Sequence, residues 1–295
     1  MGEKQSLRTP VIALMVGNIC LAFGPLFVRS ADVGPVAAAF WRIALAIPIL
    51  FVLARRADAA GWRLPRGMGL VFIVSGLLFA ADLAAWHVGI LQTKFANANL
   101  LGNSTTFLLP LYAFVVARAW PSRQQGVALA IAALGTMLLL GRSLELSRAN
   151  LIGDLLCLLA GAFYTGYLVL MTRARGHMGA WPVLAWSTAM SAAPLLLLAL
   201  LLGERVIPGD WTPLIMLALL SQVVGQGLMI YAIDRVAPLL FGLLLLMQPV
   251  VAAMIGWVRY GEALTPLDGF GAALIALALI LVRLPARAPT PMTAA

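Results

Sequence analysis

The chain has 295 residues, of which 62% are hydrophobic and only 11% are charged, and its net charge is +9. The mean hydropathy is +0.99, whereas a soluble domain of this size needs far more charge to cover its surface. These values exclude an ordinary soluble enzyme. The basic residues are spread over the connections rather than clustered, which argues against a nucleic-acid-binding protein.

The apolar residues fall into ten blocks, each near the roughly 20 residues that a membrane-crossing helix needs. Charged residues, prolines and glycines separate the blocks, and the connections are too short to hold a soluble domain. The predicted spans are Pro10–Val28, Pro35–Ala54, Met68–Leu91, Ala96–Ala117, Gln124–Leu140, Leu151–Met171, Trp181–Leu202, Trp211–Ile233, Val236–Val258 and Leu267–Val282. The sequence therefore predicts an all-α integral membrane protein with ten transmembrane helices.

The Lys and Arg residues are divided unevenly between alternate connections. If the N-terminus is cytoplasmic, the inner connections hold most of them, including Arg55, Arg56, Arg63 and Arg66. Short cytoplasmic loops of membrane proteins carry such an excess of positive charge. The bias predicts that both termini face the cytoplasm, and we expect a multi-pass protein of a bacterial inner membrane.

The two halves of the chain share unusual residues in the same order. Prolines lie within the fourth and ninth predicted spans, at Pro110 and Pro249. Aligning these prolines also matches residues of the third span with residues of the eighth. The first and sixth spans align on their cysteines, and the second and seventh align on their tryptophans. The matched pairs are Asp82 with Ser221, Trp86 with Gly225, His87 with Gln226, Phe107 with Leu246, Cys20 with Cys157, Trp41 with Trp186, and Arg42 with Ser187.

Five spans in each half imply that the second half is inserted upside down. Inverted repeats are a signature of secondary transporters, whose substrate site lies near the membrane midplane where the halves meet. The predicted organisation is a first five-helix repeat over residues 1–148 and a second, inverted repeat over 149–284. Residues 285–295 are predicted to be a disordered tail.

Several short stretches are typical of one transporter superfamily. They are Gly153–Tyr164, Trp41–Arg42, Tyr260–Thr265 leading into Gly269 and Gly271, and the two proline helices. Through them the whole chain resembles the EamA-type ten-helix group of the drug/metabolite transporter (DMT) superfamily. That family often has a Gly-Glu pair after both proline helices, but the first half here has Trp120–Arg123 instead. A coupling role for Glu262, in the second half, is therefore disfavoured.

The resemblance implies a secondary transporter that exports amino acids by alternating access through a central cavity, with no cofactor and no catalytic residue. Within the superfamily the chain is most similar to YddG-type exporters, so aromatic or hydrophobic amino acids are the expected substrates. The alternative is a carrier of another small metabolite or drug, or of a nucleotide sugar or lipid. A nucleotide-sugar carrier should place several basic residues deep in its cavity to meet phosphates, and only Arg42 is deep.

No motif of catalysis or metal binding accompanies this pattern. Walker A, HExxH, GxSxG and CxxC sequences are absent. Cys20 and Cys157 lie in apolar helices, where small buried side chains are more common than disulfides or metal ligands. The expected partners are a small-molecule substrate and membrane lipid. The oligomeric state is left open, and a monomer is compatible with the sequence.

Asp82 and Arg42 are charged residues inside predicted spans. Their helix positions place Asp82 about 14 Å and Arg42 about 10 Å from the same membrane surface. A charge near the bilayer centre costs about 2.5–3.5 kcal/mol on insertion scales, so each should face a partner or a cavity. We predict an Asp82–Arg42 pair that positions substrate or gates the pathway. Arg42 reaching outward to the membrane surface is the other interpretation.

Five further polar and aromatic residues and a stripe on helix four complete the predicted cavity site. The five are Trp86, His87, Tyr164, Trp186 and Gln226. His87 is either a proton relay or a satisfied polar residue of the core. The stripe is Asn99, Asn103 and Phe107, which are four residues apart and share one helix face. It could contact the polar head and apolar part of a substrate, or bond to neighbouring helices.

Overall fold

The computed structural model describes residues 2–57, 61–93, 98, 101–140, 150–260 and 265–283. Asn99, Glu262 and the predicted tail 285–295 lie outside the described residues. The described part is helical, and it contains no strand. Its first-half helices are α1 (Gly2–Ala22), α2 (Gly24–Ser30), α3 (Pro35–Ala57), α4 (Gly69–Gln92), α5 (Thr105–Ala117) and α6 (Arg123–Leu140).

The second half begins with two long helices and continues with shorter ones. In order they are α7 (Leu151–Arg175), α8 (Ala180–Leu201), α9 (Thr212–Met216), a π-helix (Leu217–Gly225), α10 (Gln226–Ala232), α11 (Pro238–Leu245), α12 (Met247–Tyr260) and α13 (Pro266–Arg283). Short helices that follow one another directly form single spans.

Seven segments of the described chain are long and apolar enough to cross a membrane. They are Arg8–Ser30, Pro35–Ala57, Gly69–Gln92, Leu151–Arg175, Ala180–Leu201, Thr212–Ala232 and Pro238–Arg259. Thr105–Ala117 and Pro266–Val282 are apolar but shorter. The chain is thus a multi-pass helical membrane protein, as its composition predicts.

Two predicted spans are interrupted next to prolines. The helix breaks at Phe23, two residues before Pro25, and again at Leu246, before Pro249. Proline has no backbone N–H and its ring crowds the carbonyl four residues earlier, so the hydrogen-bond ladder is lost at these points. The breaks expose backbone in the middle of the spans, which membrane proteins tolerate only where protein covers it.

Small residues allow the long helices to pack closely. A Cβ atom added to Gly76 of α4 would lie 2.4 Å from the Cβ atom of Met190 in α8, and one added to Gly135 of α6 would lie 2.7 Å from the carbonyl oxygen of Gly271 in α13. Lipid is as apolar as the helix surfaces, so such close contact, rather than hydrophobic burial, holds membrane helices together.

Two loop contacts join the halves, and we call them the first and second clasp. In the first clasp the segment 32–41 meets the segment 204–211, and Trp41 Nε1 donates to the Val206 carbonyl at 2.7 Å. In the second, Trp186 Nε1 donates to the Trp62 carbonyl at 2.9 Å. The Arg55 guanidinium lies 4.4 Å from the centre of the Trp62 ring.

The first clasp also holds the start of α3. The Glu204 carboxylate accepts hydrogen bonds from the backbone N–H groups of Val36 at 3.3 Å and Ala37 at 2.7 Å. The N–H of Gly34 donates to the Arg205 carbonyl at 3.0 Å. A carboxylate at a helix N-terminus satisfies free N–H groups and complements the positive end of the helix dipole. Glu204, from the second half, thereby caps a helix of the first.

Candidate functional site

A small polar cavity of about 60 Å³ lies between the helices of the two halves. The first half contributes α1, α3, α4 and the start of α5, and the second contributes α7, α10, α11 and α12. The polar residues that line it are Arg42, Asp82, Asn103, Thr105, Tyr164, Gln226 and Gln248. Such a volume holds a few water molecules but not an amino acid. The structure therefore has a constricted polar centre.

Arg42 is held inside the protein rather than at the membrane surface. Its side chain is 4% exposed, and its Nε donates to Gln222 Oε1 at 3.2 Å. Gln222 in turn donates from Nε2 to Thr188 Oγ1 at 3.0 Å. The interpretation in which Arg42 reaches outward to the membrane surface is wrong for this structure. A chain of hydrogen bonds instead connects α3, the π-helix and α8.

Asp82 faces the same cavity as Arg42 but does not form a salt bridge with it. The predicted direct pair is therefore not formed, and the Nε–H of Arg42 donates to Gln222 instead. Among the described residues, Asp82 has no hydrogen-bond or ion-pair partner, and its carboxylate borders the cavity. The two opposite charges thus share one small cavity without direct contact.

Tyr164 and Gln226 are joined across the cavity. The Tyr164 hydroxyl donates to Gln226 Oε1 at 3.1 Å, whereas the buried Nε2 of Gln226 has no partner among the described residues. Behind Tyr164 lie two stacked rings: Tyr167 is 5.8 Å from Tyr164 and 4.5 Å from Phe79, centre to centre. The cavity therefore combines an unused amide donor with an aromatic wall.

His87 lies outside the cavity lining. Its side chain is 0% exposed, and Nδ1–H donates to the carbonyl of Pro35 at 3.0 Å, which leaves Nε2 without a partner among the described residues. The ring thus connects α4 to the first residue of α3. This geometry favours a structural role for His87 over a proton relay, because no described donor or acceptor continues the path from Nε2.

The other predicted site residues divide between the cavity and other places. Trp86 and Asn103 line the cavity. Trp186 does not, because its indole N–H bonds in the second clasp and its ring meets Phe51 edge to face at 5.3 Å. Phe107 lies in a separate apolar groove. The helix is interrupted at Asn103 and Ser104, so the four-residue spacing does not keep Asn103 and Phe107 on one face.

Sequence reasoning missed Gln222 and Gln248. Gln222 orients Arg42, while Gln248 lines the cavity and donates to Asn18 Oδ1 at 2.8 Å. Both are direct neighbours of residues that the alignment of the halves singled out, Ser221 and Pro249. A search for amides inside apolar spans would have found them, since such side chains in a membrane need hydrogen-bond partners.

Comparison with known proteins matches the second half of the chain to a family. Residues 151–284 match the EamA-like transporter family. The second half of the chain is an EamA-like domain. This is a family of membrane transporters within the DMT superfamily, and it is not a family of enzymes.

Relatives extend the similarity over most of the chain. It is 26% identical over 284 residues to the threonine/homoserine exporter RhtA of Escherichia coli (strain K12), which covers 95% of this chain and 91% of the relative. It is 27% identical over 203 residues to an uncharacterized transporter of Archaeoglobus fulgidus, 68% of this chain and 71% of that one. A protein of known crystal structure, 19% identical, has the same fold, with a TM-score of 0.74 over 94% of this chain and 97% of its own.

Proposed function

We propose that this EamA-family transporter exports amino acids across the bacterial inner membrane, by alternating access through the cavity between its halves. The observation that carries the proposal is the placing of Arg42 and Asp82 on one cavity. A free amino acid has a carboxylate and an ammonium group on the same carbon. A guanidinium and a carboxylate that are close but not paired offer one partner to each.

In this proposal Arg42 binds the substrate carboxylate and Asp82 the ammonium group. Gln222 leaves the remaining N–H groups of Arg42 available toward the cavity, because it occupies only Nε. Charge-assisted hydrogen bonds of this kind are about twice as strong as neutral ones. The free Nε2 donor of Gln226 supplies a further contact for the substrate carboxylate or a polar side chain.

The substrate side chain has two candidates, each with an observation in its favour. The stacked rings of Phe79, Tyr167 and Tyr164 favour aromatic or hydrophobic amino acids. The amides of Asn103 and Gln248 favour a short hydroxylated amino acid, and one relative is named a threonine/homoserine exporter. Both candidates use the same Arg42 and Asp82 contacts.

Alternating access requires two related halves and two closures. The chain is proposed to have ten spans in inverted repeats of five, with both termini cytoplasmic. Packing supports this symmetry. If the two halves are exchanged, the contact of α4 with α7 corresponds to the contact of α1 with the π-helix and α10. The contacts of α3 with α8, α5 with α11, and α6 with α13 each correspond to themselves. The two clasps, at corresponding points of the halves, are the proposed closures.

Transport by the purified protein in proteoliposomes tests the proposal. Labelled phenylalanine, leucine, threonine and homoserine should be supplied in turn, with and without a proton gradient. We expect saturable counterflow of at least one of them, competed by other amino acids but not by N-acetyl or amide derivatives that lack one charge. Asp82→Asn should lose the ability to reject the N-acetyl derivative. Absence of transport for every amino acid tested would refute the proposal.

A further inference from the structure

A second cavity lies away from the polar centre, on the outer side of α5 and α6. It has a volume of about 580 Å³ and its lining is apolar apart from one arginine. Its walls include Phe107, Leu111, Val115 and Leu129, and its mouth is formed by Arg118 and Trp120. All the described walls belong to the α5–α6 hairpin, so the groove opens sideways to the surroundings of the protein.

The groove faces lipid. Val115 is 67% exposed and Trp120 is 95% exposed, although both are large and apolar. Because the chain is a multi-pass membrane protein, apolar side chains exposed along a helix are in contact with acyl chains. Trp120 follows the end of α5, where tryptophan marks the boundary between acyl chains and headgroups. The groove is thus deep in acyl chains at Phe107 and at headgroup level near Trp120.

Arg118 places a positive charge at this mouth. Its side chain is exposed, and the guanidinium has no hydrogen bond or ion pair within the described part of the chain. Its backbone is left-handed, with φ of 49° and ψ of 37°, and no other non-glycine residue among those described has positive φ. Glycine is the residue that favours this position at a helix end. An arginine at this position is therefore conformationally strained, and a role for its positive charge would explain why it is present.

We propose that the groove binds an acyl chain of an anionic phospholipid, and that Arg118 pairs with the phosphate of its headgroup. A volume of about 580 Å³ is suited to a chain segment rather than to a few water molecules. A guanidinium binds phosphate through two parallel N–H bonds. Charge complementarity favours an anionic over a zwitterionic headgroup, because the trimethylammonium group of a zwitterionic lipid such as phosphatidylcholine already neutralises its phosphate and repels the arginine. This site is separate from the cavity of Arg42 and Asp82, and it does not depend on which substrate is transported.

Photo-crosslinking of the full chain in vesicles tests this site. The vesicles contain equal parts of phosphatidylglycerol and phosphatidylcholine, with a trace of either lipid bearing a photoactivatable group at the end of its acyl chain. Adducts are then located by peptide mass spectrometry. We expect the phosphatidylglycerol probe to label residues 107–129 several-fold more than the exposed leucines of segment 197–202, and the phosphatidylcholine probe to show no such preference.

Variants test separately how the charge of Arg118 and the shape of the groove contribute to lipid labelling. Arg118→Gly should lower the phosphatidylglycerol adduct about fivefold, the scale of one basic residue at an anionic surface, whereas Arg118→Lys should retain most of it. Ala119→Phe, at the mouth, should block both probes. Arg173→Gln, which removes an exposed arginine at the end of α7, is the control and should leave labelling unchanged.

Arg118→Gly should fold as the natural chain does, because glycine adopts the left-handed conformation without strain. A loss of labelling in this variant is therefore not explained by misfolding. The melting temperature of the variant should equal or exceed that of the natural chain while the lipid adduct falls. Labelling of residues 107–129 at the level of segment 197–202, or an Arg118→Gly adduct as strong as that of the natural chain, would overturn the proposal.

Discussion

Trp41 and Trp186 make the same hydrogen bond at corresponding points of the two halves. Trp41 in α3 donates to a carbonyl in the loop after α8, and Trp186 in α8 donates to a carbonyl in the loop after α3. The acceptors, Val206 and Trp62, lie the same number of residues beyond the ends of those helices. Each helix of this central pair therefore holds the loop that follows its partner, one clasp for each end.

Removal of either indole N–H should open one clasp and leave the other intact. Trp41→Phe and Trp186→Phe keep an aromatic ring but leave a carbonyl without its donor, a loss of about 1 kcal/mol or roughly fivefold in an open–closed equilibrium. Labelling of a Leu21→Cys reporter in the cavity, with Cys20 and Cys157 replaced by serine, measures accessibility. A membrane-impermeant maleimide is supplied from one side of the vesicle and then from the other.

We expect Trp41→Phe to speed labelling from one side and Trp186→Phe from the opposite side. Trp257→Phe is the control, since Trp257 is exposed toward lipid and belongs to neither clasp. If both clasp variants accelerate labelling from the same side, the clasps do not close opposite ends of the pathway.

Gln222 should act as a positioning residue for Arg42. Gln222→Ala leaves the buried guanidinium without its acceptor, and hydrogen bonds to charged groups contribute about 1.5–3 kcal/mol. We expect KM for the transported amino acid to rise about tenfold or more. Gln222→Glu should lower transport for a different reason, because a carboxylate there would pair with Arg42 and compete with the substrate.

Thr188→Val provides the matched comparison for Gln222. It removes the second bond of the Gln222 side chain but leaves the bond to Arg42, so its effect on KM should be smaller. Transport and melting temperature are measured for all three variants. A Gln222→Glu protein with unchanged KM would contradict the positioning role.

The Glu204 cap should contribute measurably to stability. Glu204→Ala removes the acceptor of the Val36 and Ala37 N–H groups, and loss of such a cap costs about 1 kcal/mol. We expect a lower melting temperature for Glu204→Ala and an intermediate value for Glu204→Gln. Arg205→Gln should have little effect, because its salt bridge to Asp32 is long, at 3.6 Å, and exposed. Equal destabilisation by the Glu204→Ala and Arg205→Gln substitutions would argue against the cap.

Substitution of Arg175, at the end of α7, should lower the melting temperature more than substitution of the exposed Arg235. The Arg175 side chain is 4% exposed, bonds Asp234 at 2.8 Å and donates to the Met178 carbonyl. The carboxylate of Asp234 is 30% exposed, so the pair is partly screened by water, but Arg175→Gln removes its closest charged partner and should lower the melting temperature. Arg235→Gln removes a weaker contact to the same carboxylate, at 3.4 Å, and should be tolerated. A melting temperature for Arg175→Gln equal to that of Arg235→Gln would contradict this ranking.

The apolar blocks predicted the long helices well because membrane thickness limits their length, and α3, α4, α7 and α8 begin and end close to the predicted residues. The cavity was only partly predictable. Arg42 and Asp82 stand out because charge is rare inside a span. The binding partner of Arg42 could not be read from the sequence, because helix spacing gives a face but not the neighbour that the face meets.

A local backbone break and a loop hydrogen bond account for two other differences. Asn103 and Phe107 would share a face on an unbroken helix, but the turn at Asn103 and Ser104 sends Phe107 into the apolar groove. Trp186 was expected at the cavity because it is aromatic and central. Its N–H instead binds a loop carbonyl, since a buried indole needs an acceptor and the second clasp offers one.

The π-helix at Leu217–Gly225 is a difference in backbone structure between the two halves. A π turn takes up one more residue than an α turn, so residues after it are rotated relative to those before. The corresponding span of the first half, Gly69–Gln92, is α-helical throughout. If side chains are transferred from one half to the other, the sequence register must therefore be shifted at this point. Without that shift, Gln226 and the residues after it would face the wrong helix.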